Sequence, residues 1–158
     1  MRRTFAKELL DHAMTDKNII LLTGDLGKGM WDEFKYVLPD QFINCGASEQ
    51  AMLDMAVGLA YEGKTPVVYS ITPFLLYRPF ETIRTYIDHE NLNIKLVGSG
   101  RDDDYKHDGY SHNAEDVSSV LKSLPNIVQM WPDKKEDIPS IVTVMVNNKR
   151  PTFISLRR

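Results

Sequence analysis

One cysteine stands among the 158 residues. No disulfide can close within the chain, and Cys45, set in an apolar run, reads as a small buried side chain. An excess of charge of one sign is missing as well. Lys and Arg number 19 against 22 Asp and Glu, a net charge of -3, and no basic run occurs. That balance excludes the electrostatic footprint of a nucleic-acid binder. No apolar stretch approaches the ~20 residues of a membrane span. The opening Met1-Arg2-Arg3-Thr4-Phe5-Ala6-Lys7-Glu8 has the pattern of an amphipathic helix rather than the apolar core of a secretory leader. These absences predict a cytoplasmic protein with neither nucleic acid nor membrane as partner. No repeat or linker divides the chain, and 42% apolar residues suffice for one full core.

What is present alternates. Residues 3–15 carry Phe5, Leu9, Leu10 and Ala13 on one helical face, and Ile19-Ile20-Leu21-Leu22-Thr23 follows as a nearly continuous apolar run. Such a run is the mark of a strand buried on both faces of a parallel sheet. Further strands are expected at 42–45, 66–71, 93–98, 127–130 and 152–156. Helices are expected at 31–37, from Glu49 to about Ala60 with Gly63 as its C-cap, from about Ala114, and from near Asp137 with Pro139 in its first turn. Pro73 and Pro79 argue for a loop from Thr72 that leads into a helix only near 79. The expectation is a doubly wound α/β fold, a mostly parallel sheet of about six strands with helices on both faces.

The stretch Phe42-Ile43-Asn44-Cys45-Gly46-Ala47-Ser48-Glu49-Gln50 places a carboxylate at a strand-to-helix junction, where parallel α/β folds collect ligands. A plainer reading makes Ser48 the N-cap and Glu49 a complement to the helix dipole. Gly24-Asp25-Leu26-Gly27-Lys28-Gly29 fits neither the Walker nor the dinucleotide phosphate-loop spacing. Residues 99–113 form a long polar loop with two histidines, of the kind that is functional or mobile. Its Asp102-Asp103-Asp104 run with His107 reads as a solvated loop, because consecutive acids cannot all turn inward to one metal ion.

Four segments stand in a telling order: Gly46-Ala47-Ser48-Glu49-Gln50; Gly63 to Val68 with Phe74, Arg78-Pro79-Phe80-Glu81 and Ile83-Arg84; Asp108-Gly109-Tyr110-Ser111-His112-Asn113; and Pro151 to Arg158. Together they resemble the pyrimidine-binding domain of the transketolase group of thiamine-diphosphate enzymes, over nearly the whole chain. The resemblance implies that Glu49 is the glutamate that shares a proton with N1′ of the cofactor's aminopyrimidine and so activates it. It implies that Phe74, or Tyr77 as a second candidate, stacks on that ring. His112 matches a histidine that faces the substrate, and Asp108 an aspartate of the same loop. Arg101 has the spacing of an arginine that holds a substrate phosphate in the deoxyxylulose-phosphate synthase branch. Each has a bland counterpart in core packing, capping or solvated charge.

The resemblance also implies what lies elsewhere. In the family, the cofactor's diphosphate is bound through Mg²⁺ by a Gly-Asp-Gly motif with a later Asn on another domain. Gly24-Asp25-Leu26 is on the wrong element and lacks that continuation. Residues 1–158 therefore read as a single pyrimidine-binding domain, with no diphosphate-binding domain and no C-terminal transketolase domain. The expected assembly is α2β2, with a diphosphate-binding subunit that contributes Mg²⁺ and shares the thiamine diphosphate. The expected activity is transfer of a two-carbon ketol unit between sugar-type substrates from a ketose or 2-oxo acid donor. A deoxyxylulose-phosphate-synthase-like or 2-oxo acid decarboxylating subunit, and a non-catalytic remnant, are the alternatives. Ser111-His112-Asn113 in place of the family's Thr-His-Gln leaves the substrate open.

Overall fold

The predicted apolar runs become the middle of a sheet. In the computed structural model, which describes residues 1–158, the elements are α1 (Arg2–Ala13), β1 (Ile19–Thr23), α2 (Asp32–Val37), β2 (Phe42–Asn44), α3 (Glu49–Tyr61), β3 (Thr65–Ile71), α4 (Thr72–Tyr77), α5 (Phe80–Thr82), β4 (Lys95–Ser99), α6 (Val117–Leu121), β5 (Val128–Met130), α7 (Ile138–Asn147) and β6 (Thr152–Leu156). The strand order is β2-β1-β3-β4-β6-β5, and every pairing is parallel. β1, β4 and β6 are buried along their whole length, whereas the short β2 and β5 form the half-buried edges.

Alternate side chains of each central strand feed two cores. Ile20, Leu22, Val68, Leu96 and Phe153 pack on the face covered by α3, α4 and α6. Leu21, Val67, Tyr69, Val97 and Ile154 pack on the opposite face, under α1 and α7. The period-2 alternation of a strand thus serves two helix layers at once. On that second face Trp31 meets Phe5, Phe34 and Tyr69 edge to face, with ring centroids 5.2 to 6.4 Å apart. Gly63 closes α3 as predicted, with φ +78° and the paired Gly63 N–H to Ala60 O and Lys64 N–H to Leu59 O bonds of a left-handed cap.

One expectation needs correction. The loop predicted after Ile71 is helix from the start: α4 begins at Thr72 with Pro73 in its first turn. A proline there gives up only an N–H that has no partner anyway. Pro79 ends that helix, and α5 runs on into a π-helical turn at Ile83–His89. The sheet, expected to be mostly parallel, is parallel throughout.

Lys95 opens β4 with no exposed surface, a burial that its apolar neighbours Ile94 and Leu96 foreshadow. Its Nζ donates to Asn148 O and Arg150 O, both at 2.7 Å, and so ties β4 to the chain that leaves α7. Burial, with a smaller push from Lys149, brings its pKa down from 10.5 to about 7; a neutral amine still has hydrogens for both carbonyls. Between about pH 7 and 10.5 the unfolded chain holds a proton that the folded chain has released. Stability contributed by this group therefore rises with pH across that window, on the order of a few kcal/mol. Chemical denaturation of wild type and of Lys95→Met at several pH values should show the rise only in wild type.

Candidate active site

Sheet order reverses beside β1, since the chain goes to β2 on one side and returns to β3 on the other. Doubly wound folds leave a crevice at the carboxyl ends of the strands at such a point. Glu49 enters it as the first residue of α3, after Gly46 at φ +68° has turned the chain out of β2. The Ser48 side chain does not cap the helix, and the Glu49 side chain turns inward, only 3% exposed. Its Oε1 accepts from Ser70 Oγ at 3.1 Å, and its Oε2 accepts from Arg78 Nη1 at 2.6 Å. A carboxylate this buried requires such partners. Gly24, at the end of β1, closes the third side: a Cβ there would lie 3.3 Å from Gly46 O and 3.7 Å from Glu49 Oε1. Next to it, Asp25 sits at φ +57°, held by its N–H to Asn44 Oδ1 and by Asn44 Nδ2 to its own Oδ1.

Phe74 on α4 and His112 on the polar loop complete the cluster. The Arg78 guanidinium lies over the Phe74 ring with Cζ 3.8 Å from its centroid. The Phe74 and His112 rings meet edge to face at 4.8 Å. Tyr105 stands 6.2 Å from the His112 ring, and its hydroxyl accepts from Arg2 Nη1 at 3.0 Å. His112 Nδ1 pairs with Ser111 Oγ at 3.1 Å. The structure therefore brings Glu49, Phe74 and His112 together, with Arg78 joining the first two.

The other three sequence candidates lie apart from this cluster. Tyr77 is directed at α6, its hydroxyl donating to Asp116 Oδ1 at 2.5 Å, and burial together with that carboxylate pushes its phenol pKa up. Phe74, by contrast, is joined to Glu49 through Arg78. Asp108 is half-exposed and lies 3.5 Å from His107 Nε2. Arg101 is buried and directed into the end of β6. Its Nη2 donates to Ser155 O at 2.6 Å and Pro132 O at 2.8 Å, and its Nε to Ser155 Oγ at 3.2 Å. These bonds engage Arg101 at the end of β6. The acidic run is likewise tied up: Asp102 and Asp104 face Arg157 at 3.1 and 3.6 Å, and no group of three or more His, Cys, Asp or Glu side chains is arranged to hold a metal ion.

Sequence reasoning missed Ser70, Gly24 and the role of Arg78. Arg78 had a signal, because a cation four residues after an aromatic shares a helix face with it. Ser70 and Gly24 had none, since their contacts to Glu49 run from β3 and the end of β1 to the start of α3.

The model of the family described as the transketolase, pyrimidine binding domain matches residues 1–158. One of the subunits of an apulose-4-phosphate transketolase from Phocaeicola vulgatus is 27% identical over 158 residues, 99% of this chain and 51% of that protein. A 6-deoxy-6-sulfo-D-fructose transketolase subunit of a Clostridium species is 26% identical over 159 residues, 100% of this chain and 49% of its own length. The chain thus spans about half the length of the curated relatives it matches. Among solved structures, a split-gene transketolase described as an inactive beta4 tetramer superposes with a TM-score of 0.87 at 28% identity, over 99% of this chain and 51% of that one. With the family model matched from end to end, this chain belongs to the transketolase pyrimidine-binding domain family.

Proposed function

We propose that this chain supplies the aminopyrimidine half of the active site in a split thiamine-diphosphate-dependent transketolase. The observation that carries the reading is the buried Glu49 carboxylate joined through Arg78 to the ring face of Phe74, with His112 packed against that ring. These residues fit the flat, polar-edged half of the cofactor. A Cβ at Gly24 would press on the Gly46 carbonyl that leads into Glu49, and a planar cation already rests on Phe74 and hydrogen-bonds to Glu49. When bound, the cofactor supplies a carbon nucleophile that adds to a carbonyl and carries the two-carbon ketol unit from donor to acceptor. Glu49 holds a proton against a ring nitrogen, Ser70 fixes the carboxyl plane through Oε1, Phe74 orients the ring, and His112 faces the substrate.

The residues do not fit the diphosphate half, since no cluster here would hold Mg²⁺. In this reading a second polypeptide contributes the diphosphate and Mg²⁺ site and shares the cofactor across the interface of an α2β2 assembly in the cytoplasm. The names of the relatives support it, two of them being subunits of transketolases. By analogy with the inactive beta4 relative, the chain without that partner is without activity. The donor is a ketose or 2-oxo acid; Asp108 lies on the same loop as His112 and is proposed to contact substrate there.

The test is co-expression with the chain that carries a Gly-Asp-Gly motif and a downstream Asn, followed by titration with thiamine diphosphate and Mg²⁺. Cofactor-dependent assembly and ketol transfer are expected; a complex that forms but is indifferent to cofactor would point to the non-catalytic alternative. Within the same complex, Phe74→Leu should weaken cofactor binding about tenfold, the worth of one aromatic stack, and Tyr77→Phe should leave it unchanged. Isothermal titration reads both.

A further inference from the structure

Arg78 is the one strong cation at the Glu49 crevice, and the mechanism above assigns it nothing. Its side chain is 48% exposed while the Glu49 side chain that it contacts is 3% exposed, so the guanidinium lies between the carboxylate and solvent. Two contacts fix it there: Nη1 donates to Glu49 Oε2 at 2.6 Å, and Cζ stands 3.8 Å above the Phe74 ring. A guanidinium is flat, stacks on aromatic faces and directs N–H donors outward from its edge. A flat nitrogen heterocycle that stacks on Phe74 and shares a proton with Glu49 through a ring nitrogen would use the same two surfaces. The Phe74 ring packs against His112 at a steep angle, and the ring face under Arg78 is the one that the cation held by Glu49 covers. The guanidinium and the heterocycle exclude one another.

We infer that Arg78 occupies the aminopyrimidine position in the cofactor-free chain and swings out to solvent when the ring binds, so that it acts as an internal competitor. The inference rests on the functional reading given above. The exchange needs no rearrangement of the backbone. Arg78 lies on the surface just beyond the last turn of α4, and its long side chain has open solvent on one side. In the free chain the guanidinium keeps a buried carboxylate paired and an aromatic face covered, both of which are costly to leave bare. Part of the ring's binding free energy is then used to break an ion pair and a cation–π contact. A positioning residue of this kind weakens cofactor binding and steadies the empty subunit.

The experiment has two arms, both on the full chain. The first needs no ligand: in the free protein, the Arg78 δ and ε protons should be shifted upfield by the Phe74 ring, and the shift should vanish in Phe74→Leu. An unshifted Arg78 overturns the inference. In the second arm, 4-amino-5-hydroxymethyl-2-methylpyrimidine is titrated against wild type, Arg78→Gln and Glu49→Gln and followed by NMR. Arg78→Gln should bind the pyrimidine roughly tenfold more tightly, as expected from releasing a half-exposed ion pair and a cation–π contact, and in wild type the Arg78 shift should collapse as the pyrimidine binds. Equal or weaker binding by Arg78→Gln overturns the displacement while leaving the cofactor reading intact. Binding that is absent from all three proteins, or indifferent to Glu49→Gln, overturns the cofactor reading and the inference with it.

Discussion

In the proposed split enzyme, Glu49→Gln should lower kcat by about 10²–10⁴-fold, the range set by loss of a positioned proton-transfer group. The fold survives the change. Gln keeps the volume of Glu and an oxygen for Ser70 Oγ, which now donates at 3.1 Å. The ion pair with Arg78 is lost, but that guanidinium is half in water, where a pair contributes about 1 kcal/mol or less. Steady-state kinetics beside thermal unfolding of the same preparation separates the two effects. The expected outcome is a collapsed kcat with a melting temperature close to wild type. Activity within a few-fold of wild type would remove Glu49 from the chemistry and leave it as a buried helix-end carboxylate.

Arg101→Met produces the largest loss of stability, about 3 kcal/mol. Arg101 is 6% exposed. Removing its guanidinium strands the Ser155 and Pro132 carbonyls, which now accept at 2.6 and 2.8 Å, and breaking such a buried charged network typically costs several kcal/mol. The exposed Asp133 that it also contacts adds little. For a domain of this size the melting temperature should fall by about 6–12 °C, with KM for a phosphorylated substrate unchanged in the folded fraction. A variant as stable as wild type with a raised KM would restore Arg101 to the role its spacing suggested. The two substitutions thus form a pair: one kills the chemistry and spares the fold, the other does the reverse.

The amino-acid sequence by itself determined the strands, the parallel α/β class and the position of Glu49 at the start of α3. Those are local matters. A five-residue apolar run such as Ile19–Thr23 has few ways to bury both faces other than the middle of a parallel sheet. A carboxylate after Gly46-Ala47-Ser48 is bound to stand at a helix N-terminus. The error over Thr72–Tyr77 arose from reading Pro73 as a breaker when it stands at the one helical position that suits it. Tertiary structure alone decided what surrounds Glu49. Ser70 is 21 residues away in sequence and Arg78 is 29, so their meeting depends on β3 returning beside β1 and on α4 starting without a loop. It decided, too, that the Arg101 guanidinium reaches Pro132 O and Ser155 O at the end of β6, because spacing sets where a side chain starts and packing sets where it points.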